Sequence, residues 1–263
     1  MLKKRLIFTL LYRYGQFVLS RNFRLQNVGN MRWLQSNYDF STISFSIDEL
    51  VVLDVSRDGR DLPTFCAALN QLCKGCFVPV AAGGGVRTLE AARSLLRSGA
   101  DKVVVNSALY YDQNFIKLLA AEFGQQCIVA SVDVKRSADG FKVYSENGYT
   151  VLPGSASMWL SRISNLPVGE IYLNSMDKDG TGQGYDLALL DQLPSDMIQP
   201  VILAGGAGNI PHLMAGLADT RADAVATAHL FNFVGDGLER ARSSLRQLGV
   251  ELAHWDMALL DSF

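Results

Sequence analysis

The sequence contains an internal repeat at an offset of about 121 residues, and this repeat constrains the fold more than any other feature. Three pairs of segments match in register: residues 79–85 (PVAAGGG) with 200–206 (PVILAGG), 49–54 (ELVVLD) with 170–174 (EIYLN), and Ala100-Asp101 with Ala222-Asp223. One match could be coincidence, but three in register indicate two copies of one structural unit.

Strand-length apolar segments alternate with helical patterns along the chain, as is typical of parallel strands buried on both faces. One helical pattern runs from Thr88 to Arg97, with Leu89, Ala92, Leu95 and Leu96 on its inner face and Gly99 as a C-cap. We predict strands near residues 5–11, 49–54, 77–82, 101–105, 127–133, 169–174, 200–204 and 223–227. Eight strands alternating with helices predict the α/β class and a single (β/α)₈ barrel of two half-barrel repeats, covering residues 1–263 as one domain.

Composition excludes several functional classes. The 263 residues are 49% apolar with a net charge of −2, and no basic block suggests nucleic acid. The N-terminus imitates a signal peptide, but its apolar run is short, Arg13 follows at once and no cleavage site appears. No segment is long enough to span a membrane. We therefore expect a cytoplasmic protein with neither a nucleic-acid nor a membrane partner.

The four cysteines, Cys66, Cys73, Cys76 and Cys127, are too few and too clustered for a disulfide framework, which agrees with a reduced compartment. Cys73 and Cys76 form a lone CxxC motif. A zinc site needs further ligands nearby, and the only histidines are His212, His229 and His254. We predict ordinary thiols at a helix end, with no metal and no cofactor; a metal or redox role is the alternative.

Each copy of the repeat places glycines directly after a strand. Glycine lets the backbone approach a ligand and turn its N–H groups toward an anion. The first predicted anion site comprises Gly83–Gly85, Asn106 and Ser107, and the second comprises Asp179, Gly180, Gly205, Gly206, Ala228 and His229. Such loops lie at the C-terminal face of a barrel. The implied ligand is a phosphorylated small molecule with two anionic ends. His229 is either a polar rim residue or an anion contact that changes charge near neutral pH.

Several motifs together resemble the cyclase subunit (HisF) of imidazole glycerol phosphate synthase. The resemblance covers nearly the whole chain and rests on Leu2-x-Lys4-Arg5, 47–50 (IDEL), Leu53-Asp54, 83–85 (GGG), 99–103 (GADKV), 132–136 (VDVKR), 177–181 (DKDGT), 184–186 (GYD) and 205–208 (GGAG). It implies a separate glutaminase docked at the N-terminal face, near Asp101, with ammonia passing through the barrel. The family's charged entrance ring matches Arg5, Glu49, Lys102 and Glu170; a purely structural ion-pair ring is the alternative.

The pattern breaks at the reaction centre. The resemblance implies two facing catalytic aspartates, at the ends of the first and fifth strands, which can divide proton transfers. The fifth-strand member is Asp133, but the first-strand position is Leu11. A phosphate-side lysine of the family is replaced by Leu19, whereas the nearby carboxylate Asp54 is retained.

Three interpretations stay open. The first is a remodelled synthase subunit, similar to divergent family members found with surface-polysaccharide genes, in which ammonia converts an activated acetamido group on a nucleotide-linked sugar to an acetamidino group. The second is the histidine-pathway cyclase, with Asp133 sufficing alone or assisted by Asp54. The third is a non-catalytic barrel that conducts ammonia or activates a glutaminase.

Overall fold

The computed structural model describes residues 3–253, so Leu2 and His254 lie outside the described residues. The strands are β1 (Arg5–Arg13), β2 (Gln16–Arg21), β3 (Arg24–Gly29), β4 (Glu49–Asp54), β5 (Val80–Gly83), β6 (Lys102–Val105), β7 (Ile128–Ser137), β8 (Gly140–Ser145), β9 (Thr150–Val151), β10 (Glu170–Ser175), β11 (Val201–Ala204) and β12 (Ala224–Thr227). The α-helices are α1 (Met31–Asn37), α2 (Leu62–Cys73), α3 (Leu89–Arg97), α4 (Ala108–Tyr111), α5 (Gln113–Phe123), α6 (Ala156–Ser164), α7 (Ile210–Ala218) and α8 (Gly237–Gln247).

Eight of these strands close into a parallel barrel. The hydrogen-bonded order is β1, β4, β5, β6, β7, β10, β11 and β12, and β12 pairs with β1 in parallel. The (β/α)₈ prediction is thereby confirmed, with each predicted strand displaced by a few residues at most. The largest difference at a strand start is at β5. It begins at Val80 and not at residue 77, and residues 77–79 belong to the preceding connection.

The alternation of side chains along each strand divides the core into two clusters. On β1, Leu6, Phe8 and Leu10 point outward into the large cluster between strands and helices, whereas Ile7 lies in a smaller cluster inside the barrel. Both clusters are apolar because each barrel strand is covered on both faces. The helices pack one face against the barrel, as Ala92 and Leu95 of α3 show by being buried. The side chain of Thr88 caps the start of this helix by accepting a hydrogen bond from Ala91 N.

The two halves of the barrel repeat each other's contacts as well as their sequence. The carboxylate of Asp101 accepts a hydrogen bond from Val80 N at 2.8 Å, and that of Asp223 accepts one from Val201 N at 2.9 Å. Each aspartate precedes its strand and ties it to the strand before, so the matching Asp positions have the same local role. This explains why the repeat was detectable in the sequence.

An antiparallel hairpin, β2–β3, follows the first barrel strand and was not predicted. Its tip, Asn22–Phe23, has positive φ at both residues, as in a two-residue type I′ turn. Asn and especially Gly favour this turn, whereas a bulky Phe does not, so the usual sequence signal is absent. A second unpredicted hairpin, β7–β8, extends the fifth barrel strand. Both hairpins rise above the C-terminal end of the barrel.

Gly180 fixes the position of the β2–β3 hairpin. A Cβ at Gly180 would lie 1.8 Å from the backbone oxygen of Ser20, whereas a Cβ at Gly182 would meet nothing within 4 Å. Both glycines have nearly the same positive φ, +65° and +64°.

We expect Gly180→Ala to destabilise the fold by about 1–3 kcal/mol more than Gly182→Ala, since only the former adds overpacking to the shared backbone strain. Urea unfolding of the two variants and the parent chain measures this difference. Equal losses of stability in the two variants would show that the hairpin does not depend on close packing at Gly180.

Candidate functional site

A cavity of about 830 Å³ opens at the C-terminal end of the barrel. Gly83 of the first predicted anion site is buried and does not line this cavity. The lining does include the other residues predicted for catalysis or anion binding: Asp54, Asp133, Gly84, Gly85, Asn106, Ser107, Asp179, Gly180, Gly205, Gly206, Ala228 and His229. The carboxyl ends of all eight parallel strands meet here, which is why residues scattered along the chain converge. Their individual roles in catalysis and anion binding stay predictions.

The barrel interior consists of layers along its axis. The first layer at the N-terminal end holds the charged side chains of Arg5, Glu49, Lys102 and Glu170. Above it lie apolar side chains, Ile7, Val51, Ala81, Val129, Ile202 and Ala224. The cavity floor comes next, formed by Thr9, Val104, Ser131, Tyr172 and Ala226, and the strand ends with Asp133 form the layer above.

Asp133 is held as an acceptor by two amides. Asn106 Nδ2 donates to its Oδ2 at 3.0 Å, and Asn174 Nδ2 donates to its Oδ1 at 2.9 Å. Burial raises the pKa of Asp133 to about 6, although the two amide hydrogen bonds oppose the shift. A carboxyl group that titrates near neutral pH is suited to proton transfer.

The first-strand position opposite this carboxyl group is apolar. Leu11 pairs with Leu53 of β4 and Val18 of β2 and lines the cavity, as does Leu19. Asp54 is buried at the end of β4, and its Oδ1 accepts a hydrogen bond from Ser56 N at 2.9 Å. Asp54 and Asp133 therefore share one rim, as the sequence predicted, and Leu11 contributes no acid–base group to it.

Two hydroxyl groups bond to each other across the cavity floor. Tyr172 Oη and Thr9 Oγ1 lie 3.0 Å apart, joining β10 to β1. Burial raises the pKa of Tyr172 above its ordinary value, so the phenol stays protonated. Sequence reasoning missed this pair, because Tyr172 sits within an apolar strand and gave no motif signal.

The first glycine turn packs tightly on its neighbours. A Cβ at Gly84 would lie 2.3 Å from the backbone oxygen of Asp54, and one at Gly85 would lie 2.7 Å from Nη1 of Arg60. Both glycines have positive φ, so the turn requires glycine on two grounds. Asn106 and Ser107 follow β6 beside it, although Asn106 already donates to Asp133 and to Ser131 O.

Two residues of the second predicted anion site have other engagements. The carboxylate of Asp179 accepts hydrogen bonds from Ser20 Oγ at 2.5 Å and Phe23 N at 3.0 Å. It therefore holds the hairpin, and its predicted contact with the ligand stays a prediction. Burial lowers the pKa of His229, so its ring is neutral at neutral pH and offers no charge there. This favours the polar rim interpretation of His229.

Five arginines line the cavity and were missed in the sequence: Arg21, Arg24, Arg57, Arg60 and Arg87. Within residues 3–253, none of the five forms an ion pair with a carboxylate. They come from one hairpin and two loops, so no run of charge identified them. Folding the chain into a barrel brings them together.

The four predicted entrance residues form a closed ring of alternating charge at the opposite end of the barrel. Arg5 Nη1 lies 3.0 Å from Glu49 Oε2 and 3.1 Å from Glu170 Oε1, and Lys102 Nζ lies 2.9 Å and 2.8 Å from the same two atoms. Burial raises the pKa of Glu49, which is 2% exposed, and Lys102 opposes that shift. Burial alone would lower the pKa of Lys102, but the two glutamates raise it.

Other sequence features have structural explanations. Asp101 is exposed beside the ring, and its carboxylate is tied to Val80 N. Burial raises the pKa of the Cys73 thiol to about 11 and also raises that of Cys76, so both thiols are protonated at neutral pH. None of the described helices has the length and apolar character needed to cross a membrane.

The family model for "Histidine biosynthesis protein" matches residues 40–235. The chain is 45% identical, over 100% of its own length and 98% of the relative, to a protein of Parasynechococcus marenigrum (strain WH8102) named "Putative imidazole glycerol phosphate synthase subunit hisF2". It is 36% identical, over 96% of its length and 99% of the relative, to "Imidazole glycerol phosphate synthase subunit HisF" of Chlorobium phaeobacteroides (strain BS1). This chain belongs to the HisF-like histidine biosynthesis family. The resemblance inferred from its motifs is thereby confirmed.

Several HisF-like motifs bind one another in the structure. The guanidinium of Arg136 donates to both oxygens of Asp186 at 2.8 Å and 2.6 Å, and Arg136 N donates to Asp177 Oδ2 at 2.7 Å. Tyr185 Oη donates to Ala226 O at 2.9 Å. Three separated motifs thus brace the loops around the second half of the cavity.

Proposed function

We propose that this HisF-like chain is the ammonia-accepting synthase subunit of a two-protein glutamine amidotransferase. The observation that carries the proposal is the axial arrangement: a charged ring at one end, an apolar interior, and a half-buried carboxyl group at the other. Ammonia is small and neutral, so an apolar passage admits it, whereas an ammonium ion would have to lose its hydration at a large cost.

The glutaminase would dock on the N-terminal face around the ring. Phe77 and Ile198 precede β5 and β11 at this end, and they are 78% and 89% exposed. Large apolar side chains that are this exposed suit a protein interface. Asp101 and Lys102 lie at the same end, which supports the docking face inferred from the sequence.

At the other end, Asp133 would act as the base. When ammonia attacks an activated carbon, the new C–N bond leaves an excess proton on nitrogen, and Asp133 would accept it while the leaving group departs. Asn106 and Asn174 hold the carboxylate so that it is oriented toward the cavity. The Tyr172–Thr9 pair lies in the cavity floor, between the apolar layer and Asp133, and would be a polar contact for the arriving ammonia.

We further propose that the acceptor is a nucleotide-linked sugar whose activated acetamido group becomes an acetamidino group, for surface glycan synthesis. Leu11 supports this choice. The family's cyclisation divides its proton transfers between two facing acids, and this chain lacks the one on the first strand. The arginine-lined mouth also suits a substrate with a large anionic part.

The histidine-pathway cyclase is the second candidate, favoured by the 36% identity to a protein named HisF. The unaltered chain, supplied with ammonium salt and the imidazole precursor, should form no product at an enzymatic rate of about 1 s⁻¹ or more. We expect Leu11→Asp to give measurable but incomplete imidazole formation. The lysine on the family's phosphate side is still replaced by Leu19, so this variant would lack that positive charge. Leu11→Asn, of the same size but unable to act as an acid, is the control.

Imidazole formation by the unaltered chain at that rate would favour the histidine pathway. A chain that turns over neither substrate, even with free ammonia, would instead be a channelling partner whose chemistry occurs on another protein.

A further inference from the structure

The arginines at the cavity mouth are unevenly distributed between the two halves of the barrel. The loops after β4 and β5 contribute Arg57, Arg60 and Arg87 to the lining, around the first glycine turn. The loops after β10, β11 and β12 contribute no lysine or arginine to that lining; their titratable members there are Asp179 and His229. A ligand with equal anionic ends would not need this asymmetry.

Arg57 and Arg60 are placed by contacts that leave their charge uncompensated. Arg57 Nη1 donates to Tyr149 Oη, and the guanidinium carbon lies 4.6 Å from the centroid of the Tyr149 ring. Arg57 Nη2 donates to Phe23 O at 2.8 Å. Arg60 lies against Gly85 and donates to Asn147 Oδ1 at 3.4 Å. These partners are neutral, so they orient the guanidinium groups without neutralising them.

Acidic groups of the cavity are mostly deeper than the arginines. Asp54, Asp133 and Asp179 lie at or near the strand ends, whereas all five arginines are exposed at the rim with Asp58 and Glu146. The carboxylate of Glu146 is engaged by Thr150 Oγ1 at 2.8 Å. The rim therefore carries net positive charge above a layer of acids, which favours an anionic group at the rim and the reacting group beneath it.

Tyr149 adds a flat apolar surface to this side of the mouth. Its side chain lines the cavity, is 66% exposed and is covered by Arg57 on one face. Phe23 reaches the same corner from the hairpin tip, where its φ of +64° is unusual for a bulky residue. Such outliers persist where the surroundings hold them, and they cluster at binding sites. An aromatic ring beside unpaired guanidinium groups suits a base attached to phosphate.

We propose that the first-half side of the mouth, centred on Arg57, Arg60 and the turn at Gly84–Gly85, is a subsite for the diphosphate of a nucleoside diphosphate, with Tyr149 contacting the base. Arg57 and Arg60 present planar donors to the diphosphate oxygens, and the N–H groups of the glycine turn add further donors. The group attached to the diphosphate then extends toward Asp133. This inference rests on the proposed function, whose acceptor it specifies.

Binding of three probes to the full chain, measured by calorimetry, tests the subsite. Uridine diphosphate should bind about tenfold or more tighter than uridine monophosphate and than fructose 1,6-bisphosphate, since only the diphosphate offers adjacent anionic groups to both arginines. Arg57→Gln and Arg60→Gln should each weaken uridine diphosphate binding about fivefold or more. Arg32→Gln, an exposed arginine on α1 outside the cavity, should leave binding unchanged.

The outcomes separate the subsite from the function. If fructose 1,6-bisphosphate binds as tightly as uridine diphosphate, or if uridine diphosphate does not bind at millimolar concentration, both the subsite and the sugar-nucleotide acceptor are wrong. If uridine diphosphate binds tightly but Arg57→Gln and Arg60→Gln do not weaken it, the subsite is wrong and the sugar-nucleotide acceptor stands. Both arginines are exposed, so unchanged unfolding temperatures will verify that the variants fold.

Discussion

Replacing Lys102 with methionine is expected to destabilise the protein by about 3–5 kcal/mol, because Glu49 and Glu170 would then share only Arg5 as a cationic partner. Glu49 is nearly inaccessible to water, and its Oε1 already lacks a hydrogen-bond partner. The remaining charge repulsion would be relieved by protonation of one glutamate or by opening of the ring. Urea unfolding measures the loss of stability.

The same variant should uncouple the two nitrogen sources. If ammonia enters through the ring, as proposed, glutamine-dependent product should fall because the ring has lost one of its two cations, whereas product formed from ammonium salt should continue in the folded protein. The control variant Lys117→Met removes an exposed lysine of α5, and it should change neither the glutamine-dependent nor the ammonium-dependent product. Equal loss with both nitrogen sources would indicate that Lys102 is only structural. Failure of any glutaminase to bind the unaltered chain at micromolar concentration would remove the amidotransferase proposal itself.

Asp133→Asn should lower product formation by about 10²- to 10⁴-fold with glutamine and with ammonium salt alike, because both routes need the same base. The asparagine keeps the size of the side chain but turns one acceptor toward Asn106 or Asn174 into a donor. Asp139→Asn changes an exposed residue at the β7–β8 turn and should have no effect. Full activity of Asp133→Asn would place the base elsewhere, with Asp54 as the next residue to test.

The pKa of Asp133 gives this prediction a pH dependence. As a base, Asp133 must be ionised, so the rate should decline as the pH falls below about 6. The stability of the fold changes in the opposite sense. Because the pKa of Asp133 is raised in the folded chain, its contribution to the free energy of unfolding is fully present below pH 3.8, the ordinary pKa of the group. This contribution is lost as the pH rises through about 6. As the pH rises from 4 to 7, the free energy of unfolding of Asp133→Asn should therefore fall by less than that of the unaltered chain.

The barrel and its charged ring were predictable because both depend on patterns local to each strand. Apolar continuity identified the strands, and the ring residues stand at strand starts, where strand order fixes their mutual position. The position of Asp54 and Asp133 at the same rim was predictable for the same reason. Strand ends in a parallel barrel meet at one face, whatever their separation along the chain.

The features that escaped prediction depend on tertiary contacts between distant segments. The turn Asn22–Phe23 has no glycine, and it is held by Asp179 and Arg57. The arginines at the mouth occupy separate loops, and the bond between Tyr172 and Thr9 crosses the barrel over a separation of 163 residues. The hydrogen bonds of Asp179 to the hairpin escaped prediction for a related reason: its motif indicated a loop near the cavity but not which donors would reach its carboxylate.

The layered interior of the barrel has a consequence for the protonation state of the nucleophile. Inside the barrel, Ile7, Val51, Ala81, Val129 and Ile202 form an apolar layer that disfavours any charged species. If ammonia crosses this layer from a docked glutaminase, as proposed, it would reach Asp133 with its lone pair free, whatever the acidity of the surrounding solution. Nitrogen taken from bulk salt through the open mouth is mostly protonated at neutral pH and must first lose a proton. Under the proposed function, the apolar layer would therefore separate the protonation state of the delivered ammonia from the pH of the medium.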